Sequence, residues 1–207
     1  MVRAIQSPEL NSVVWSPQPG PQKALIDCPV PEILFGGARA GGKTSGVLGK
    51  YAIKASDKHF NAIFFRRELP SLDDAIEESK SIYPQLGARW NEQRKLWRFS
   101  NGARIRFRPL ETIADCDKYQ GQNISDCCIE EAGTYPDSRV IDRMQGALRS
   151  AFGLQTQMIL TANPGGVGQQ WIKERYIDAC PQGMKVCERN VGRGRKRKFV
   201  YIPSKIT

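Results

Sequence analysis

"GGARAGGKT" (residues 36–44) combines four glycines with a lysine and a threonine at its end. Its spacing, Gly37-x-x-x-x-Gly42-Lys43-Thr44, is typical of a loop that wraps around phosphate groups. Glycine lets the main chain turn tightly and point its N–H groups at phosphate oxygens, and the N-terminus of a following helix adds partial positive charge. In such a loop the lysine reaches the β- and γ-phosphates, and the threonine hydroxyl binds Mg²⁺. The sequence therefore predicts a site for a nucleoside triphosphate with Mg²⁺, contacted by Gly37, Ala38, Arg39, Ala40, Gly41, Gly42, Lys43 and Thr44.

The segments on either side of this loop have the patterns of a strand and a helix. The apolar run "EILF" (32–35) precedes the loop, and "GKTSGVLGKYAIKAS" (42–56) follows it with helical spacing. Predicted strands and helices then alternate along the chain, which favours an α/β fold with a mostly parallel sheet flanked by helices. Further strands are predicted within 61–67, 124–132 and 156–166, and further helices within 71–83 (with Ser71 as its N-cap), 137–150 and 169–180.

A β-hairpin is predicted in "KLWRFSNGARIRFRPL" (95–110). Apolar and polar residues alternate on both sides of Asn101-Gly102, a preferred hairpin turn. Its arginines either contact nucleic acid or form the solvated face of the hairpin, and both interpretations stay open. Two more strand-like stretches follow within 184–203.

The composition indicates a basic protein with a sizeable core. The chain has 207 residues and a net charge of +10, and "RGRKRK" (193–198) places five basic residues in six. Such a surplus suits a polyanionic partner, although an ordinary basic surface is the simpler alternative. No run approaches the roughly 18 apolar residues that span a bilayer, so we predict no membrane association. The six cysteines lack a regular framework, and we expect all of them to be reduced and without zinc.

Two acidic residues, Glu130 and Glu131, follow the apolar run "CCI". An acid at the tip of a strand beside the phosphate loop can hold Mg²⁺ through water, and the next residue can orient the attacking water. We assign Glu130 to the metal and Glu131 to the water. Because neighbouring strand residues point to opposite faces, the backbone must turn at the strand end if both are to reach one site. Asp126 is the alternative metal ligand, but it lies at the other end of this strand.

The strand "MILTAN" (158–163) ends in two polar residues, Thr161 and Asn163. At the tip of a strand these groups can sense the γ-phosphate and relay its loss, although an ordinary strand exit would look the same. We find no Asn/Thr-Lys-x-Asp motif of the kind that reads a guanine base, which disfavours a GTPase.

Together these segments resemble the ATPase domain of the large terminase subunit of tailed bacteriophages, a family that packages viral DNA into a preformed capsid. The matching segments are "GGARAGGKT", "IEEA" and "LTANP", in that order, and they are joined by "FFRRELPSLDDAIEESKSIY" and "WSPQPGPQKAL". The resemblance covers most of residues 15–178. It implies a P-loop ATPase fold of the additional-strand, catalytic-glutamate type.

The resemblance also implies roles for individual residues. Thr161 and Asn163 would belong to the motif that couples hydrolysis to movement. Gln22 would read adenine through its amide, with Gln18 as the alternative. Arg39 would reach the γ-phosphate in cis or contact a neighbouring element when a ring closes. An arginine supplied in trans by a neighbouring subunit is also expected; the candidates are Arg139, Arg143 and Arg149, of which Arg149 is favoured.

The implied partners are double-stranded viral DNA, the portal of the procapsid, a small terminase subunit and further copies of the chain. These copies would form a ring, usually a pentamer, in the host cell cytoplasm. We divide the chain into an N-terminal segment with the adenine-side motif (1–30), a P-loop ATPase core (31–180) and C-terminal strands with the basic segment (181–207). The last part would lead to a nuclease domain that the chain does not contain. The alternatives are a helicase- or recombinase-type ATPase, and a nucleic-acid-binding module with a vestigial nucleotide site.

Overall fold

The computed structural model describes residues 5–6, 13–37, 42–192 and 194–204, and a nine-stranded sheet forms its centre. Two short strands, β1 (Ile5–Gln6) and β2 (Val13–Trp15), pair with each other in a separate antiparallel ribbon. The sheet itself consists of β3 (Glu32–Gly37), β4 (Asn61–Arg66), β5 (Arg89–Asn91), β6 (Leu96–Arg98), β7 (Arg104–Pro109), β8 (Asp126–Ile129), β9 (Gln157–Ala162), β10 (Val186–Asn190) and β11 (Lys196–Ser204).

The strand order is β10-β11-β3-β9-β8-β4-β7-β6-β5. The six strands from β11 to β7 are parallel, and antiparallel pairs complete both edges. Strand β9 lies between β3, which leads into the glycine loop, and β8, which ends at the two acids. The predicted α/β fold with a mostly parallel sheet and an additional central strand is therefore confirmed.

Helices cover both faces of this sheet. They are α1 (Pro21–Asp27), α2 (Lys43–Lys54), α3 (Asp73–Ile82), α4 (Ile113–Asp117), α5 (Arg139–Ala147) and α6 (Gln169–Ile172), the last continuing into a π-helical turn, Lys173–Ile177. Short 3₁₀ turns occur at Pro70–Leu72, Pro84–Leu86 and Ala132–Thr134.

Alternate residues of each central strand enter two separate apolar cores. In β3, Ile33 and Phe35 pack with the side of the sheet that α2 and α3 cover, and Leu34 packs with the side that α5 covers. Strands of a parallel sheet are buried on both faces and therefore need apolar residues at nearly every position, which explains the nearly continuous apolar runs of these strands.

The predicted hairpin is confirmed, and the sheet extends one strand beyond it. Strands β6 and β7 pair on either side of the Asn101-Gly102 turn, where Gly102 N–H donates to Phe99 O (3.0 Å). Strand β5 was not predicted, because its three residues are too short to show a period; it pairs with β6 as a third antiparallel strand.

Three local expectations are wrong. Ser71 does not cap α3, because Pro70 starts a 3₁₀ turn and the Ser71 hydroxyl donates to Glu68 O (2.7 Å). Arg149 lies beyond the end of α5 and not on this helix. Cys180 and Cys187 are joined in a disulfide, because the chain turns back between them and brings their Cα atoms to 6.4 Å. Cys28, Cys116, Cys127 and Cys128 are free thiols.

The C-terminal strands belong to the same sheet as the glycine loop. Strand β11 runs parallel to β3, with Ser204 in register with Gly37. The sheet thus continues past the boundary at residue 181, and the three-part division of the chain stays a prediction. Across the described ranges, no helix combines the length and the apolar character needed to cross a membrane.

Candidate active site

The glycine loop begins at Gly37 and leads into α2 at Lys43. Gly37 (φ 139°) and Gly42 (φ 60°) both have backbone angles that favour glycine. A Cβ atom at residue 37 would also overlap the Ser204 carbonyl on the neighbouring strand. The predicted contacts of Ala38, Arg39, Ala40 and Gly41 lie outside the described residues.

Lys43 occupies the first turn of α2, and its side chain reaches back to Gly37. Its Nζ donates to Gly37 O at 3.4 Å, and the side chain is buried. Burial lowers the pKa of Lys43, and the carboxylates of Glu130 and Glu131 oppose this effect. Both acids are therefore close enough to act on this ammonium group.

Glu130 lies at the centre of the site, between Thr44 and Arg66. One carboxylate oxygen accepts the Thr44 hydroxyl, and the other accepts Arg66 Nε at 2.5 Å. Glu130 is only 2% exposed. Burial raises the pKa of this carboxyl group, while Arg66 and the Thr44 hydroxyl oppose the rise. Asp126, the alternative metal ligand, lies at the opposite end of β8 and pairs with Lys54.

Glu131 follows β8 with a left-handed backbone conformation (φ 54°, ψ 45°). This turn lets two consecutive acids face the same cleft, as predicted. The Glu131 N–H donates to Thr161 Oγ1 (3.1 Å) at the tip of β9, and its carbonyl accepts from Thr134 N–H (2.9 Å). The Glu131 side chain is 45% exposed and lies 3.9 Å from Arg66 Nη2. Its backbone is thus fixed while its carboxylate faces solvent.

These groups line one cleft of about 560 Å³ at the carboxyl edge of the parallel strands, within the range of small-ligand sites. Asn163 reaches the cleft from the end of β9, and its buried Oδ1 has no hydrogen-bond partner among the described residues. Mg²⁺ prefers oxygen ligands, one or two carboxylates among them. Thr44 and Glu130 already place a hydroxyl and a carboxylate oxygen in contact, so the donor set fits this ion.

Three residues that line the cleft were not predicted from the sequence: Ser45, Arg66 and Glu78. Arg66 ends β4, the neighbour of β8, and its Nη1 also donates to Ser71 O (2.5 Å). The signal was present in "NAIFFRR", since the carboxyl ends of parallel neighbours meet at one edge of the sheet. Glu78 comes from α3 and gave no comparable signal.

Gln22 connects α1 to the glycine loop. Its Nε2 donates to Gly42 O (2.7 Å), and its Oε1 accepts Gln18 N–H (2.8 Å). Both ends of the amide are thus bonded to main chain in this structure. Its role in reading adenine stays a prediction.

Arg149 lies at the edge of the sheet opposite the glycine loop. Its backbone forms an isolated bridge with Ile124, and its guanidinium donates to Gln122 O (3.0 Å) and to Gly121 O. This position is too far from the chain's own loop for a role in cis. A role in trans stays a prediction.

Comparisons with known proteins agree with this geometry. The model of a family described as "phage terminase large subunit" matches residues 31–191. The large terminase of a thermophilic bacteriophage superposes with a TM-score of 0.64 at 16% identity, over 90% of this chain and 46% of that chain. The same terminase in complex with ATP-γ-S gives a TM-score of 0.63 at 12% identity, over 89% and 44%.

The N-terminal domain of the DNA packaging ATPase from bacteriophage phi29 superposes with a TM-score of 0.60 at 13% identity, over 89% of this chain and 94% of that domain. No curated protein matches the sequence. The chain spans about half the length of the thermophilic phage's large terminase. Since the family model covers most of the chain, and the fold is that of terminase ATPase domains, the chain belongs to the phage terminase large subunit family.

Proposed function

We propose that this chain hydrolyses ATP and that its cleft is the catalytic site. One observation carries the proposal: the tips of β3, β8 and β9 bring Lys43, Thr44, Glu130, Glu131 and Thr161 together around one opening. A lysine, a hydroxyl and two acids in this order are the parts that P-loop hydrolases use. The solved complex of the thermophilic phage's terminase with ATP-γ-S supports a nucleotide in this fold.

Each residue has a distinct role in this proposal. Lys43 and the loop N–H groups bind the β- and γ-phosphates, with Arg39 as an additional contact. Thr44 and Glu130 would hold Mg²⁺, which supplies charge neutralisation at these phosphates when bound. Glu131 orients the attacking water and accepts its proton, and its exposed carboxylate is accessible for this task. Gln22 contacts the adenine side.

Thr161 and Asn163 are proposed to couple the state of the nucleotide to the sheet. Thr161 accepts the N–H of Glu131, so the catalytic acid and strand β9 share a direct hydrogen bond. Asn163 contributes the unpartnered Oδ1, an acceptor available to a water or to a donor group beside the phosphates. Loss of the γ-phosphate would therefore change the contacts at the end of β9 first.

In the whole motor, we propose that hydrolysis drives double-stranded DNA into a procapsid. The relative from bacteriophage phi29 is a DNA packaging ATPase, and the net charge of +10 on this chain favours binding to DNA. The proposed partners are the portal, a small terminase subunit and a ring of copies of this chain, with a pentamer expected. Arg149 would act on the site of the adjacent copy.

Glu131→Gln tests the proposal. Phosphate release from ATP is expected to fall at least about 100-fold, which is the size of a general-base contribution, while a fluorescent ATP analogue binds as to the wild type. Glu111→Gln, at an exposed acid outside the cleft, is the matched control. The assay uses the full chain at several concentrations, since a ring would raise the specific activity. Wild-type turnover by Glu131→Gln would remove this residue from catalysis. If the wild type itself releases no phosphate at any concentration, the vestigial-site alternative stands.

A further inference from the structure

The sheet beyond β4 carries helices on one side and a row of arginines on the other. On the helix side, Trp97 and Phe107 are buried, and Trp97 Nε1 donates to Ser79 Oγ of α3 (2.8 Å). The residues that alternate with them on β6 and β7 point to the opposite side. There they form, with Arg94 of the β5–β6 turn, what we call the arginine face: Arg94, Arg98, Arg104, Arg106 and Arg108.

This face concentrates positive charge without compensation. Arg98 lies directly opposite Arg104 across the β6–β7 pair, and like charges in that position destabilise a sheet. The cavity in front of it, about 450 Å³, is otherwise lined by neutral residues, and no acidic residue is among the described residues that line it. The face is therefore unfavourable for the protein alone.

The side chain of Arg106 by itself also carries a positive charge without compensation. It is half-buried, with Nη1 donating to Gln122 Oε1 (2.8 Å) and Nη2 to Asn61 Oδ1 (3.4 Å). Its buried Nε has no hydrogen-bond partner in the described part of the chain. Burial lowers the pKa of Arg106 to about 10, and the neighbouring charge of Arg108 adds to this effect. Its partners are both neutral amides, so its charge is unpaired.

We propose that the arginine face binds the phosphate backbone of double-stranded DNA. Arginine forks bind phosphate oxygens with two parallel hydrogen bonds. Arg104, Arg106 and Arg108 recur at every second residue of β7, about 6.6 Å apart, which is comparable to the separation of neighbouring phosphates along a nucleic-acid strand. Strand β7 also pairs with β4, whose last residue is Arg66 of the active site. The inference rests on the proposed function, and it places the DNA next to the strand that reaches the catalytic acids.

The side chains favour a duplex over a single strand. Proteins that hold single strands stack bases on aromatic rings. The aromatic residues of β6 and β7 are buried in the core on the other side, and no aromatic residue is among the described residues that line the cavity of the arginine face. Binding would therefore involve backbone charge and show little sequence preference.

The test compares two triple variants of the full chain that lose the same charge. One is Arg94→Gln/Arg98→Gln/Arg104→Gln, at exposed positions of the arginine face. The control is Arg195→Gln/Lys196→Gln/Lys198→Gln, at exposed positions of the β10–β11 hairpin. Binding of a short fluorescent DNA duplex is measured by anisotropy over a series of salt concentrations, with a single strand of the same length as competitor.

The logarithm of the association constant for the duplex falls linearly with the logarithm of the salt concentration. For the arginine-face triple, this slope is expected to become shallower by about 2–3, since each lost phosphate contact removes about 0.9 from its magnitude. The control is expected to keep most of the slope, and the duplex to bind more tightly than the single strand. Equal losses in both triples, no loss in the first, or tighter binding of the single strand would overturn the proposal.

If the first triple does not fold, as judged by its thermal unfolding, the single variant Arg104→Gln replaces it. Its slope is expected to become shallower by about 1, and an unchanged slope would overturn the proposal. Phosphate release by Glu131→Gln decides the ATPase proposal separately.

Discussion

Arg66 approaches both carboxylates of the proposed catalytic pair, Glu130 and Glu131. It donates to Glu130 at 2.5 Å and lies 3.9 Å from Glu131. Burial raises the pKa of Glu130, and Arg66 is the largest opposing influence. In the proposed function Glu130 holds Mg²⁺ in its ionised form, so Arg66 would extend the pH range of metal binding towards acid.

Arg66→Gln is therefore expected to raise the pKa of Glu130 further. The acid limb of Mg²⁺-dependent binding of an ATP analogue should move to higher pH than in the wild type, because protonated Glu130 then persists to higher pH. Arg67→Gln is the control, since Arg67 is bonded to Thr134 O and faces Glu111. An acid limb that stays in place in Arg66→Gln would argue against a role for Glu130 in metal binding.

At the scale of elements, one buried lysine attaches α1 to α2. Lys50 is 4% exposed, and its Nζ donates to the carbonyls of Leu25 (2.7 Å), Ile26 (3.3 Å) and Cys28 (2.8 Å) at the end of α1. Leu25 O also accepts the N–H of Cys28 (3.3 Å), and Cys28 O also accepts Gln157 Nε2 (3.1 Å), so Lys50 is the charged donor that the three carbonyls share. Helix α1 in turn presents Gln22 to the glycine loop.

Lys50→Met is expected to lower the free energy of unfolding by about 2–3 kcal/mol, since three carbonyls at the end of α1 lose their shared charged donor. Urea unfolding measures this change. Lys23→Met, at an exposed lysine paired with Asp27, should change stability by less than about 1 kcal/mol. Similar stability of the two variants would mean that water replaces the Lys50 ammonium group.

The central strands and helices could be predicted from the sequence, because short apolar runs between glycine-rich turns fit the buried strands of a parallel sheet and few other elements. The sequence also placed Lys43 and Thr44, from the spacing of the glycine loop, and Glu130, from the end of its strand, around one cleft, as the structure has them; their roles stay a proposal. Arg66 was missed although it ends a predicted strand, because its place beside Glu130 requires β4 and β8 to be neighbours. Glu78 was missed because no local pattern shows which helix covers the strand ends. The cap at Ser71 failed because one proline changed the local turn, and β11 was assigned to a separate segment because pairing with β3 is not local.

For the whole molecule, nucleotide binding should raise the free energy of unfolding and therefore Tm. A ligand at 100 times its dissociation constant adds about 2.7 kcal/mol, which corresponds to about 5–10 °C in Tm for a chain of this size. We expect ATP-γ-S with Mg²⁺ to produce such a shift in the wild type and little or none in Lys43→Ala. Lys58→Ala, at an exposed lysine, should keep the full shift. Equal shifts in all three proteins would place the nucleotide elsewhere.

The close pairing of Gly37 with Ser204 has a mechanical consequence. The backbones touch so tightly that a single methyl group cannot be inserted between them. The backbones of Gly37 and Ser204 must therefore shift together, because no side chain lies between them to absorb a displacement of either one. We therefore expect any displacement of the glycine loop at Gly37 to reach the C-terminal end of β11 directly, through the main chain.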